Sequence, residues 1–336
     1  MAQVSVVIPV FNGERFIAEA IRSVQEQTVR PLEVIVVDDG SRDSTEKVVR
    51  QCSGPVPVVY HYQENQGPGI ARNRGVAHAR GEWIAFLDAD DVWYPDKLSV
   101  QMEHIRTYPK VDFFYSDFDV AQPDGTVARR AVVSQFARPK KAHWKKLSHI
   151  VFNGQPFPFP STVLLRKSVF TRLTGFRSYM RQYFEDFELF ARIAKDFSFH
   201  FIAQPLVRYR LKPKSQREFH STPNVLFLLD SLWRLWWDQP DRQAILIKHY
   251  AHHYALLGKY SLQDGRFLEA REFYRLSFGY YPGLYYPWCW KNLRRWALCY
   301  LPGLRRLYSR KAMKRINAAR RSAGIAAGHS SHQAER

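Results

Sequence analysis

Cysteine is scarce in this chain of 336 residues: Cys52, Cys289 and Cys299 have neither the number nor the spacing of a disulfide framework or a zinc site. A reducing compartment, the cytoplasm, is the expectation. Long apolar runs are missing as well. No uninterrupted stretch approaches the ~18 residues of a spanning helix. The first apolar run, Val4 to Phe11, is too short for a secretory leader and has no basic stretch before it. If the protein meets a membrane, it lies on it, at the inner face. Acid is outnumbered, with 31 Asp+Glu against 50 Lys+Arg and a net charge of +19. The shortage is local: residues 1–110 hold 12 basic against 15 acidic side chains, whereas from Trp290 onward 12 basic residues face the single acid Glu335. The basic second half suits an anionic membrane surface or a phosphorylated acceptor. Nucleic acid is suggested by charge alone and is not expected as a partner, because no base-stacking module is visible.

Apolar residues are plentiful, 46% with 15% aromatic, which marks a folded chain long enough for a large core and for two domains. Its organising stretch is Ile84-Ala85-Phe86-Leu87-Asp88-Ala89-Asp90-Asp91, an apolar run that stops on three carboxylates. Such a run reads as a buried strand with a wet acidic tip. Open parallel sheets bind ligands at the carboxyl ends of their strands, and clustered oxygens without Cys or His suit a hard cation, Mg²⁺ or Mn²⁺. The competing reading is that Asp88 and Asp91 cap the helix led by Pro95.

Upstream, Val4–Val10 reads as a strand, and Phe16, Ile17, Ala20, Ile21 and Val24 recur at helical spacing. A second strand, Leu32–Val37, ends on Asp38-Asp39-Gly40-Ser41, and Asp43 to Glu46 has capping-box spacing for a short helix. After a third strand, Val56–Tyr62, comes Gly67-Pro68-Gly69-Ile70-Ala71-Arg72-Asn73, a poor match to a dinucleotide fingerprint because Arg72 stands where helix packing wants a small residue. It reads as a glycine loop opening a helix. Either Arg72 or Asn73 faces a ligand, or Arg72 pairs with a strand-tip aspartate.

Further strands are expected at Val111–Tyr115, Val127–Val133, Ser161–Leu165, Phe199–Ile202 and Leu206–Tyr209. Between them, Phe187, Phe190 and Ala194 would turn one face of a helix to the core and leave Glu185 and Asp186 at its N-terminus, where the helix dipole favours carboxylates. The cluster Lys140, Lys141, Lys145, Lys146 with Trp144 reads as a solvated basic face or an acceptor contact.

From Val4 to about Ser215 the chain resembles the family 2 glycosyltransferases of the GT-A fold. The resemblance rests on four motifs in order: Val4 to Asn12 (VSVVIPVFN), Val37-Asp38-Asp39-Gly40-Ser41, Ala71-Arg72-Asn73 followed by Leu87-Asp88-Ala89-Asp90-Asp91, and Glu185-Asp186 with Tyr209-Arg210 downstream. It implies an inverting enzyme that moves a sugar from a nucleotide-sugar donor, UDP by family habit, to an acceptor hydroxyl on a glycan or lipid-linked chain. Pro9 and Asp39 would then sit against the nucleobase, Asp88 near the ribose and the metal, and Asp90 would be the direct Mn²⁺ or Mg²⁺ ligand of the DXD motif. Asp186 would be the general base, with Glu185 beside it on the acceptor or supporting the helix. Arg210 or Lys212 would add charge at the diphosphate, or sit in a solvated loop. The competing function is a non-catalytic adaptor of the same fold, acting through its helical C-terminal region.

That region has Tyr254, Leu257, Gly258, Ala270, Tyr274 and Pro282 at the spacings of one tetratricopeptide repeat, with Gly265 in the turn. His249, His252 and His253 share helical spacing but have no further metal ligand in view. Trp288 to Tyr308 mixes aromatic and basic residues in a pattern that suits an anionic interface or an ordinary docked helix. The expected architecture is therefore α/β: a Rossmann-like, mostly parallel mixed sheet flanked by helices over residues 1–215, an all-α extension over 216–321, and a disordered tail over 322–336.

Overall fold

The computed structural model describes residues 3–132, 134, 158–180, 184–211, 222–238, 240–263, 265–280, 292–293 and 295–297. By their contacts, residues divide into two compact units, 1–237 and 238–336. The first is built on a nine-stranded mixed sheet: β1 (Val4–Val10), β2 (Glu33–Asp38), β3 (Val58–Tyr62), β4 (Trp83–Phe86), β5 (Val92–Trp93), β6 (Phe113–Ala121), β7 (Val127–Arg129), β8 (Val163–Arg166) and β9 (Phe199–Arg210). The strand order is β3-β2-β1-β4-β8-β6-β9-β5, with β7 on β6. The first four strands are mutually parallel, and β8 lies antiparallel between β4 and β6. Helices α1 (Ile17–Gln25), α2 (Thr45–Gln51), α3 (Pro68–His78), α4 (Lys97–Thr107), α5 (Lys167–Arg172), α6 (Glu185–Asp196) and α7 (Thr222–Leu235) complete this unit.

The central strands read as unbroken apolar runs because both their faces are covered. On one face Ile8, Val34, Val36 and Trp83 pack with Ile17, Ile21 and Leu98, and on the other Val7, Ile35 and Phe86 pack with Ala71, Val76 and Phe190. At the second face α3 comes so close that a Cβ on Gly75 would lie 2.3 Å from Val7 Cγ1. Only glycine fits this contact.

Several expectations change. Asp88 and Asp91 cap no helix: β5 intervenes, and α4 starts after Asp96. The capping box is not formed either, since Ser44 makes no side-chain cap bond and Asp43 accepts from the Thr45 backbone at 3.0 Å. Phe199–Ile202 and Leu206–Tyr209 are one strand, whose register against β6 shifts around Pro205 instead of breaking. Strand Val111–Tyr115 is longer than expected and runs to Ala121, whereas the strand begun at Val127 stops at Arg129. In α6 the fully buried apolar positions are Leu189, Phe190, Ala191 and Ile193, with Phe187 and Ala194 only partly covered. Helix α7 is counted with the first unit, fastened to α6 by Ser231 Oγ donating to Glu188 Oε1 at 2.9 Å and Lys195 Nζ donating to the Leu235 carbonyl at 2.7 Å.

The second unit contains the helix pair α8 (Pro240–Gln263) and α9 (Phe267–Tyr280), joined through Gly265 at φ +78°. Ala270 and Tyr274 are fully buried, the Tyr274 ring lies against Gly258, and Ser277 Oγ donates to the Ala251 carbonyl at 2.7 Å. Trp296 meets Phe278 edge-on. His249, His252 and His253 lie on α8, and burial pushes the His253 imidazole down to about 4. Pro282, the basic cluster 140–146, Lys212, the tail 322–336 and most of 288–308 lie outside the described residues.

Candidate functional site

Because β1, β2 and β4 are parallel, their carboxyl ends share one rim. Pro9 is tolerated in a central strand for a local reason. Val7, two residues earlier and so facing the same side, accepts from Leu87 of the β4 chain at 3.0 Å, and the β4 ladder reaches no further than Val7. The N–H that Pro9 lacks would have had no partner there. At the end of β2, Asp39 is enclosed: it accepts from Gln63 Nε2 at 2.8 Å and from the backbone N–H groups of Gln66 and Gly67 at 2.9 and 2.8 Å. Its carboxylate thus shapes the glycine loop, in which Gly67 takes φ +93° ahead of α3. Three donors leave a carboxylate room for another. Asp38 accepts from the Ser41 N–H at 2.7 Å and from Tyr60 Oη at 2.8 Å.

The three aspartates after β4 part company. Asp91 is 1% exposed and turns inward, accepting from Ser161 Oγ at 2.6 Å and from the Arg210 N–H at 3.0 Å. Burial, with the charges of Asp90 and Asp88 beside it, raises its proton affinity well above the usual carboxylate range. Ser161 Oγ also accepts from the Asp88 N–H at 3.0 Å, so one hydroxyl ties both ends of the turn to the chain entering β8. Asp88 and Asp90 keep partly open side chains.

Arg72, 4% exposed, bridges the rim to α6: Nη2 meets Asp88 Oδ1 at 2.6 Å and Nη1 meets Glu185 Oε1 at 2.9 Å. Of the two alternatives for Arg72, its pairing with a strand-tip aspartate is therefore present. Asn73 holds the chain: its amide donates to the Phe176 carbonyl and accepts from the Phe176 N–H, each at 2.8 Å. Next to the bridge, Asp186 is partly covered, and its Oδ1 accepts from the Phe187 N–H at 2.7 Å. Burial first, and then the neighbouring Glu185 charge, push its proton affinity up to about 7 against the pull of Arg72. The helix opens from Phe184, a non-glycine residue at φ +66°, of the kind that strained functional segments hold.

Among the described residues no group of three or more His, Cys, Asp or Glu side chains is arranged to hold a metal ion by itself. Two partly open carboxylates at one turn do fit a hard cation that takes one or two protein oxygens and completes its shell with phosphate and water. Asp91 is not available to it. Arg210 does not sit in a solvated loop but is tied into the fold at the end of β9, as is Ser161, which no motif brought to notice.

The Glycosyl transferase family 2 model matches residues 5–186. The Amylovoran biosynthesis glycosyltransferase AmsB of Erwinia amylovora is 31% identical over 240 residues, covering 68% of this chain and 77% of that protein. An uncharacterized glycosyltransferase of Rickettsia conorii is 41% identical over 104 residues, and the match spans only 17% of that longer relative. In fold, the chain is similar to S. aureus TarS 1–349 in complex with UDP-GlcNAc, with TM-score 0.62 and 17% identity over 96% of this chain and 92% of that one.

Proposed function

The chain belongs to glycosyl transferase family 2, and on that premise we propose that it transfers a sugar from a UDP-activated donor to an acceptor hydroxyl with inversion, in the assembly of a cell-surface polysaccharide. The observation that carries this reading is Asp186, a carboxylate poised at about 7 beside the Asp88–Arg72–Glu185 bridge. A general base works best near the ambient pH, and this one lies on the helix that the bridge ties to the rim. Its carboxylate accepts the proton of the acceptor hydroxyl as the hydroxyl oxygen attacks the anomeric carbon. The bond to the diphosphate breaks on the opposite face, its electron pair leaves with the diphosphate oxygen, and the configuration inverts. Asp88 and Asp90 would hold Mn²⁺ or Mg²⁺, which neutralises charge on the leaving diphosphate. Asp39, with acceptor capacity left, and Pro9 would line the nucleobase site.

The similar fold that contains UDP-GlcNAc supports a UDP-activated donor, so a UDP-N-acetylhexosamine is the first to try. The polysaccharide setting is supported by the similarity to AmsB, an amylovoran biosynthesis glycosyltransferase, and to the putative teichuronic acid biosynthesis glycosyltransferase TuaG of Bacillus subtilis. No helix among the described residues is long and apolar enough to cross a membrane; a lipid-linked acceptor would be met at the surface, with the basic aromatic segment 288–308 on anionic lipid. The test is a thermal-shift panel of UDP, GDP, dTDP and CDP with and without Mn²⁺, on wild type and Asp90→Ala. Stabilisation by UDP that needs the metal and vanishes in Asp90→Ala is expected. No metal-dependent shift with any nucleotide at saturation would overturn the donor-site reading.

A further inference from the structure

Arg210 closes β9 with its side chain 9% exposed, and its contacts converge on the turn that carries the open carboxylates. Its Nε donates to the Asp90 carbonyl at 3.0 Å and its backbone N–H to Asp91 Oδ1 at 3.0 Å. The far end of the guanidinium is anchored twice, through Nη2 to Glu19 Oε2 on α1 at 2.6 Å and through Nη1 to the Pro123 carbonyl after β6 at 3.1 Å. The Phe16 ring lies 5.0 Å from the guanidinium carbon. One side chain therefore joins the end of β9, the turn 88–91, α1 and the β6–β7 turn.

We propose that Arg210 is a positioning residue: by holding the Asp90 carbonyl between fixed anchors, it sets the direction in which Asp88 and Asp90 face a divalent cation. The inference rests on the reading of those two carboxylates as cation ligands. It gives Arg210 a role other than the two expected from its place in the motif. A guanidinium pinned by three acceptors at its side chain is a strut of the site, and its five-donor fork is the feature that allows one residue to reach all of them. A lysine can keep the charge but not the fork.

The experiment measures Mn²⁺ affinity in the presence of UDP, by the free-Mn²⁺ electron paramagnetic signal, well below the unfolding temperature of each protein. Wild type, Asp90→Ala, Arg210→Met, Arg210→Lys and Glu19→Gln are compared. Loss of an outer partner of a ligating group weakens metal affinity about 10- to 100-fold, and this is expected of Arg210→Met, with little recovery in Arg210→Lys. UDP binding without metal should stay unchanged in both. Glu19→Gln, at a partly exposed anchor, should weaken Mn²⁺ about 2- to 5-fold with the fold intact. A purely structural arginine would lower the unfolding temperature and leave Mn²⁺ affinity alone. Wild-type affinity in folded Arg210→Met, with binding lost in Asp90→Ala, overturns the positioning role and leaves the cation reading standing. Undiminished affinity in Asp90→Ala, or none in wild type, removes the cation reading and this inference with it. If Arg210→Met does not fold, Glu19→Gln decides: affinity equal to wild type sinks the proposal.

Discussion

Strands β2 and β4 both run parallel to β1 and both end on neighbouring aspartates, yet the two ends do different work. Asp38 and Asp39 are 1% and 3% exposed and are held by backbone N–H groups, a glutamine and a tyrosine hydroxyl. Asp88 and Asp90 remain partly open, because at that turn the inward position is taken by Asp91. The letters are alike, and what separates the ends is enclosure. A buried carboxylate ringed by N–H groups organises its own loop, whereas Asp88, though paired with Arg72, and Asp90 keep part of their surface at the rim, where a cation can approach.

Substitutions can sharpen or break that contrast. The largest effect is expected at Asp186→Asn, which removes the proposed base: turnover should fall about 10²- to 10⁴-fold with the fold retained. In wild type, kcat should fall as the pH drops through about 7, where Asp186 takes up its proton. The sign for stability is opposite. Between the ordinary aspartate value of about 4 and the folded value the native state binds the extra proton, so this group's contribution weakens as pH rises. Asp186→Asn should therefore unfold at a higher temperature than wild type at pH 8, and an unchanged or lower midpoint would refute the assignment.

Asp90→Ala comes next, with kcat/KM lower by about 10²- to 10³-fold and a smaller change in unfolding midpoint than at the enclosed Asp39, since this side chain is partly exposed. Asp39→Asn should do the reverse. Converting an acceptor of three donors to an amide that brings N–H groups of its own costs about 1–3 kcal/mol, readable as a lower urea midpoint. Should Asp90→Ala unfold readily while Asp39→Asn does not, the contrast between the two strand ends is broken. The smallest effect is expected at Asn73→Ala, about 1 kcal/mol of stability with donor KM unchanged, because its amide serves the Phe176 backbone. A raised KM would place Asn73 at the ligand after all.

Much of this was legible beforehand, and the limits have a physical form. Apolar runs buried on both faces located β1, β2 and β4, and the acidic ends of β2 and β4 followed by simple continuation. Periodicity could not say which of Asp88, Asp90 and Asp91 turns inward. That is decided by Ser161 on the chain entering β8, 70 positions away, and by Arg210, 119 positions away. Two strands were expected where β9 is one: Pro205 cannot donate a ladder bond, and the sheet accommodates it with a register shift. For Arg210 the motif gives the position but not the solvated loop: the residue is buried at the end of β9, because its anchors lie on elements that no local pattern connects.

The contact between Gly75 and Val7 has a consequence for the whole rim. Arg72 stands three residues before Gly75, one turn along the same side of α3, so the gap between helix and sheet also sets how far the guanidinium reaches. A methyl group at 75 would act as a wedge under a lever. The displacement would arise deep between the layers and be delivered at the Asp88–Arg72–Glu185 bridge, with no rim residue altered. Fine adjustment of this site thus lies in the thickness of a single interlayer contact, and Gly75→Ala would detune it from beneath.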